Sequence, residues 1–533
     1  MKLQHVVWTV AGLSLTAPGF AQEEMITQLI IQPKEFHLSY ATSMNEGEMA
    51  GLRQASGVEL KYARAMSGQN QVLRLPKAMT RAQAEKIVAR LNASGTVRSA
   101  QIDRRMYPRL TPNDPRFVDQ WHYQDLIQGK PLPDNNFGLN LPGAWDITTG
   151  SESVVVAVLD SGLLPHHDID TDIMDGVGRV IGGYDFISDP EAARDGNARD
   201  PNPMDQGDWV DADDAECGKG ELKTSSWHGT HVAGTIGALT NNGVGVSGVA
   251  WNSRLLAVRV LGKCGGLTSD IIDGMRWAAG LSVPDVPNNT HPARILNMSL
   301  GGEGECSPAE QSAVNDINNA GGIIVVAAGN EDANLNTTPS SPASCLGVLT
   351  IAATDRQGQR ASYSNYGAKV DLAAPGGEQP YDTGILSTYN TGQTTPDADS
   401  YKAEEGTSMA TPHVSGVLAL MLSIKPDLAR SEALSLLQKS ATAFPDYTQN
   451  AQFNCTTSTC GAGIVNAQAV LASMQQPTPP TPTPPTPTPP TPTPTPTPSS
   501  SGGGSMEWLS LLSLFGLAAL RQRRRVHIGA SSR

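Results

Sequence analysis

Between Gly406 and Pro426 apolar side chains lie on nearly every face of a helix, through Leu418, Leu420, Met421, Leu422 and Ile424. A helix apolar all round must be enclosed on all sides, so it belongs in the middle of a layered domain. Ahead of the run one serine, Ser408, stands among small residues, in Gly406-Thr407-Ser408-Met409-Ala410-Thr411-Pro412-His413. Pro412 is expected in the first turn, where a missing N–H costs nothing. Ser408 is then expected at the helix N-terminus, where unpaired N–H groups and the positive dipole end face a developing anion. A nucleophile needs that place. Alone, such a serine reads as an N-cap; two further segments change the reading.

In Val154-Val155-Val156-Ala157-Val158-Leu159-Asp160-Ser161-Gly162 an apolar run ends in an acid and a turn. This is the pattern of a buried parallel strand, and the carboxyl ends of such strands are where open α/β sheets place ligands. His228-Gly229-Thr230-His231-Val232-Ala233-Gly234-Thr235 leads a second helix of small residues. The three segments together resemble the subtilase family of serine proteases, over roughly 140–470. The order Asp160, His228, Ser408 is that of subtilisin. The resemblance implies a secreted serine endopeptidase with these three residues as its catalytic triad. It implies Asn330, in Ala327-Ala328-Gly329-Asn330, as the oxyanion-hole amide. It also implies that Ser299, Leu300, Gly301, Gly265 and Gly266 bind substrate along extended edges, with Glu331 at the rim of the primary pocket. Broad cleavage after large apolar residues is expected. Sedolisins carry a glutamate where this chain has His228. A binding protein on a dead protease fold would not need all four catalytic residues, and a kexin-type processing protease would carry a β-rich domain downstream.

Strand patterns at 255–261, 295–300, 323–328, 348–353 and 370–373 alternate with helix patterns at 269–279 and 307–319. Ser307, Pro308 and Glu310 form a capping box. The fold class expected is α/β and subtilisin-like: a mostly parallel sheet with helices on both faces, preceded by a small α+β propeptide domain.

Residues 1–21 combine Lys2, a short apolar stretch and Gly19-Phe20-Ala21, as a signal peptide does. Residues 22–112 then form an α+β unit, with strands near 72–75 and 97–102 and an amphipathic helix over 80–92. Its place between an export signal and a protease resembles the subtilase propeptide, an inhibitor and folding template. The catalytic domain is assigned to 113–476. A net charge of −14 disfavours nucleic acid as a partner and favours divalent cations.

Residues 188–226 are rich in Asp and Glu, and read either as a solvated loop or as a calcium-binding one. Asn241-Asn242-Gly243-Val244-Gly245-Val246 resembles the family's calcium loop. The resemblance implies structural calcium on Asp168, Asn242, Val244 and Val246, and a second site is sought among Asp208, Asp211 and Asp213. No catalytic cofactor is expected. Six cysteines in an exported chain suit disulfides. Of the possible pairings we favour sequence neighbours: Cys217–Cys264, Cys306–Cys345 and Cys455–Cys460.

Residues 477–505 form a Thr-Pro and Gly/Ser linker, extended and without a core. In 506–533 an apolar stretch ends at Arg521-Gln522-Arg523-Arg524-Arg525. With Gly502-Gly503-Gly504 before it, this resembles a GlyGly-CTERM sorting tail. That resemblance implies a Gram-negative cell, transient contact with its inner membrane, and cleavage by a rhomboid-type protease. A plain C-terminal anchor, leaving the enzyme attached at the cell surface, is the alternative.

Overall fold

The computed structural model describes residues 25–34, 44–103, 110–127, 135–211, 214, 217, 222–446 and 453–475. The signal peptide over 1–21, the linker and tail over 477–533, and Asp213 lie outside them. Two capping boxes open the helices of the N-terminal unit. Asn45 and Glu48 start α1 (Glu46–Ser56), and Thr80 and Gln83 start α2 (Arg81–Ala93). With β1 (Met25–Pro33), β2 (Lys61–Ala65), β3 (Gln71–Thr80) and β4 (Val97–Ile102) they give a β-α-β-β-α-β order. The strands form an antiparallel sheet ordered β2-β3-β1-β4. Ala84, Ile87 and Leu91 of α2 and Leu29, Ile31 and Leu73 of the sheet share one core of their own.

The larger region that follows opens with α3 (Leu141–Trp145), β5 (Val155–Asp160), β6 (Val180–Asp185), α4 (Pro190–Ala193), α5 (His228–Gly237), β7 (Arg254–Arg259) and α6 (Thr268–Ala278). It continues through β8 (Ile295–Met298), β9 (Gly302–Glu303), α7 (Pro308–Asn319), β10 (Ile323–Ala327), β11 (Ser340–Ser341), β12 (Leu349–Thr354) and β13 (Leu372–Pro375). The hairpin β14 (Ile385–Asn390) and β15 (Asp399–Glu404) leads to α8 (Thr407–Ile424), α9 (Arg430–Ser440) and α10 (Ala467–Met474).

Seven parallel strands lie in the order β13-β12-β10-β8-β5-β7-β6. Alternation along them divides the interior into two cores. Val156 and Val158 of β5, and Ile323 and Val325 of β10, face the core that holds α5 and α8. Ala157, Leu159, Ile324 and Val326 face the core that holds α6 and α7. Both sheet faces are covered, which explains why the strands read as continuous apolar runs. The chain runs one way from β5 to β7 and β6 and the other way to β8. The carboxyl end of β5, where Asp160 sits, is thus at the topological switch.

The expected elements fall within a few residues of those observed, and Ser307 caps α7 through Glu310 as read. One expectation is corrected. α8 begins at Thr407, so Pro412 is its sixth residue and lies inside the helix. Its missing N–H leaves the Ser408 carbonyl, four residues earlier, without its helical donor. Ser299 Oγ supplies one, at 2.8 Å. Disulfides join Cys217 to Cys264, Cys306 to Cys345 and Cys455 to Cys460.

Candidate active site

Asp160 is the last residue of β5 and is fully buried. Its Oδ1 accepts from the Ser161 N–H at 2.8 Å and from His228 Nδ1 at 2.7 Å. With Asp160 Oδ1 as the acceptor, the imidazole proton sits on Nδ1 and Nε2 keeps its lone pair. His228 is the first residue of α5. The helix can approach β5 this closely only because Gly229 follows: a Cβ there would lie 2.1 Å from the Gly162 carbonyl oxygen. Trp227, just ahead, holds a left-handed backbone (φ 48°) that is unfavourable for a bulky side chain. Complete burial and a 2.7 Å bond from its Nε1 to the Gly392 carbonyl keep it there. Burial works against a charged His228, but the charge of Asp160 and its hydrogen bond outweigh this and raise the pKa above its ordinary value.

Ser408 is the second residue of α8. Its Oγ donates to the Ser299 carbonyl at 3.0 Å. Catalytic hydrogen bonds in a free enzyme often tighten only when substrate arrives. Asn330 follows β10 through Gly329, whose φ of 104° and close neighbours exclude a side chain: a Cβ would meet Asn365 Nδ2 at 2.3 Å. Asn330 Oδ1 accepts from the Thr407 N–H at 2.9 Å and from Thr407 Oγ1 at 2.8 Å. A backbone N–H can only donate, so the amide orientation is fixed and Nδ2 is the end left to donate. Thr407 thus orients Asn330, a role the sequence reading missed although Thr407 adjoins Ser408.

Ser408, His228 and Asn330 line one cleft of about 910 Å³. Ser299, Leu300, Gly301, Gly265, Gly266 and Glu331 line the same cleft. Glu331 is exposed there and accepts from Asn365 Nδ2 at 2.6 Å. Gly266 packs so tightly on β7's exit that a Cβ would sit 2.2 Å from the Val260 carbonyl oxygen.

The expected calcium residues gather at a second place. Asp168, fully buried, accepts from Asn242 Nδ2 at 2.8 Å, the Val246 N–H at 2.8 Å and Tyr401 OH at 3.2 Å. Burial raises its pKa to about 6. Val244 is at the exposed tip of the loop, its N–H donating to Asn242 Oδ1 at 2.8 Å. The sequence reading missed Asp114, a second buried carboxylate, which accepts from the N–H groups of Asn241 and Asn242 and from Ser247 Oγ. Two buried carboxylates beside an Asn-rich loop form a hard oxygen set that suits calcium. Ligation through Asn242 Oδ1 requires the amide to turn, because its nitrogen now faces Asp168. Asp208 and Asp211 are engaged otherwise. Asp208 accepts from the Ser226 N–H and Oγ, and Asp211 from Trp209 Nε1.

The family model described as "Subtilase family" matches residues 151–463. The chain is 41% identical over 485 residues to an "Extracellular protease" of Xanthomonas campestris pv. campestris, covering 87% of this chain and 77% of that one. It is 42% identical over 432 residues to an "Extracellular basic protease" of Dichelobacter nodosus, covering 79% of this chain and 66% of that one. Among solved structures, a protease of Pseudoalteromonas arctica PAMC 21717 superposes with a TM-score of 0.61 at 49% identity. That match covers 68% of this chain and 99% of the other.

Proposed function

The chain belongs to the subtilase family, and from that premise we propose how its own residues carry out the reaction. It is a secreted serine-type endopeptidase acting on proteins. In the proposed mechanism Ser408 Oγ leaves the Ser299 carbonyl, gives its proton to His228 Nε2 and attacks the substrate carbonyl carbon. Asp160 holds the imidazole tautomer and stabilises the imidazolium. The tetrahedral oxyanion accepts from Asn330 Nδ2 and the Ser408 N–H. Collapse expels the amine, which takes the proton from His228 and leaves an acyl-enzyme; water then repeats the steps in reverse. The observation that carries this reading is the 2.7 Å Asp160–His228 bond together with His228 and Ser408 lining one cleft.

We assign Ser299, Leu300, Gly301, Gly265 and Gly266 to the substrate backbone and Glu331 to the pocket rim, with broad preference for large apolar residues before the cleaved bond. Residues 1–21 are the proposed signal peptide, 22–112 the propeptide that inhibits and templates the enzyme, and 113–476 the catalytic domain. The separate core of the N-terminal unit supports that division. Calcium would be held by Asp168, Asn242 and the Val244 and Val246 carbonyls, where its charge offsets the buried carboxylates. For 477–533 we propose a spacer and a GlyGly-CTERM sorting tail, removed at the inner membrane of a Gram-negative cell.

The test is Ser408→Ala. It should abolish casein cleavage and fluorophosphonate labelling and leave the precursor unprocessed; normal cleavage by this variant refutes the assignment. Mass spectrometry of the native secreted protein checks both ends. If residues 508–533 remain attached, a plain anchor replaces the sorting reading.

A further inference from the structure

Asp205, in the loop after α4, is 1% exposed and takes no part in the mechanism above. Its position is fixed from both sides. The loop runs beside the turn after β5, with the Leu163 N–H donating to the Pro203 carbonyl and the Asp205 N–H to the Leu163 carbonyl, both at 3.1 Å. Asp205 Oδ1 accepts from the Gly207 N–H at 2.8 Å, and Oδ2 accepts from Ser161 Oγ at 2.7 Å. The Ser161 hydroxyl has one hydrogen. Once that hydrogen points to Asp205, its lone pairs are left for the Gly229 N–H, which donates at 3.1 Å. Ser161 directly follows Asp160, and Gly229 directly follows His228. One hydroxyl therefore joins the residue beside the catalytic acid to the residue beside the catalytic base.

Resting on the triad reading, we infer that Asp205 is a positioning residue: through Ser161 it sets the approach of His228 to Asp160. Burial raises the pKa of Asp205 to about 7. The titratable and charged groups around it are Asp208 on the same loop, Asp160 and His228 across Ser161, and Arg259 of β7, whose Nε donates to the Ser161 carbonyl at 3.2 Å. Arg259 is itself paired with Asp185. Above its pKa the Asp205 carboxylate can only accept, which fixes the direction of the Ser161 hydroxyl. An amide keeps an acceptor there, and alanine removes it.

The experiment uses the full chain, matured and titrated at Ser408 with a fluorophosphonate, so that rates refer to active sites. Asp205→Ala should lower kcat by about tenfold with KM within about twofold, because misplacement of a catalytic base acts on the chemical step. Asp205→Asn should recover most of the lost kcat, because the amide oxygen can still accept from Ser161 Oγ. In a Ser161→Ala background, Asp205→Ala should add little, since the coupling runs through that hydroxyl. Should Asp205→Ala not fold, Asp205→Asn and Ser161→Ala carry the test. If labelled, active Asp205→Ala keeps the wild-type kcat, or Asp205→Asn loses as much kcat as Asp205→Ala, whatever their stability, the proposal is overturned. A wild-type chain that takes no label at Ser408 overturns the triad reading and this one with it.

Discussion

Ser299 and Ser408 exchange hydrogen bonds: each hydroxyl donates to the other's backbone carbonyl, at 2.8 and 3.0 Å. Pro412 frees the Ser408 carbonyl for this pairing. The end of β8 is thereby fastened to the first turn of α8 at the proposed nucleophile, Ser408.

Ser299→Ala removes one half of that exchange and leaves a partly buried carbonyl without a donor. We expect a loss of about 1 kcal/mol in unfolding free energy, the scale of one lost neutral hydrogen bond. Reduced kcat should accompany it. Denaturant unfolding measures the first and casein hydrolysis the second; an unchanged midpoint refutes the structural part.

Asn330→Ala should lower kcat by about 10²–10³ with little change in KM, a magnitude taken from the equivalent change in subtilisin itself. Thr407→Val should also reduce kcat, since the Thr407 N–H alone would then hold the amide. Equal kcat for Asn330→Ala and wild type would remove Asn330 from the oxyanion hole.

Three histidines are buried uncharged. His122 Nδ1 and His413 Nε2 share a 2.8 Å hydrogen bond, and burial lowers His413 to about 3 and His231 to about 4. The unfolded chain takes up protons at these sites below its ordinary pKa near 6.5, and the native state does not. Stability is therefore lost as pH falls from 6.5 toward 4, at about 1.4 kcal/mol per pH unit per group. Buried Asp355, raised to about 7, acts with the opposite sign. The difference between wild type and His231→Asn is thus the proper measure. The variant's unfolding free energy should fall less steeply by about 1.4 kcal/mol per unit in that window; parallel curves would refute this.

Chelation should lower the melting temperature, and calcium should restore it in a concentration-dependent way, because the ion binds only the folded loop. Asp168→Asn should abolish the response. A melting curve that ignores both chelator and calcium would count against the site.

The segments of the proposed triad were legible because each joins a distinctive residue to a distinctive local pattern: Asp160 after an apolar run, Ser408 before one. What stayed hidden was long-range. Asp114 lies more than a hundred residues from the loop it supports, and Asp205 reads as one more acid in an acidic stretch. β6 contains Gly182 and Gly183, which dilute the strand signal, although a Cβ at Gly183 would lie 2.0 Å from the Ala257 carbonyl oxygen. The β14–β15 hairpin was missed because Asp399–Glu404 lacks a clean apolar face. Pro412 was misplaced because the sequence does not reveal that Ser299 relieves the carbonyl it orphans. The Asn45–Glu48 capping box was readable in principle, as the same motif at Ser307 and Glu310 was.

α8 has eighteen residues and is apolar enough to cross a bilayer by length and composition, yet 83% of it is buried inside the domain. An exported chain must carry this segment unfolded past the lateral opening of a translocation channel, where a comparable stretch would halt transfer and enter the lipid. Thr407, Ser408, Thr411, His413 and Ser415 all lie in its first half. Their polarity makes partitioning into the membrane less favourable. The polar half of α8 that carries Ser408 therefore also favours complete passage of the chain, and making α8 more uniformly apolar to strengthen the core would risk stranding the protein in the membrane it has to cross.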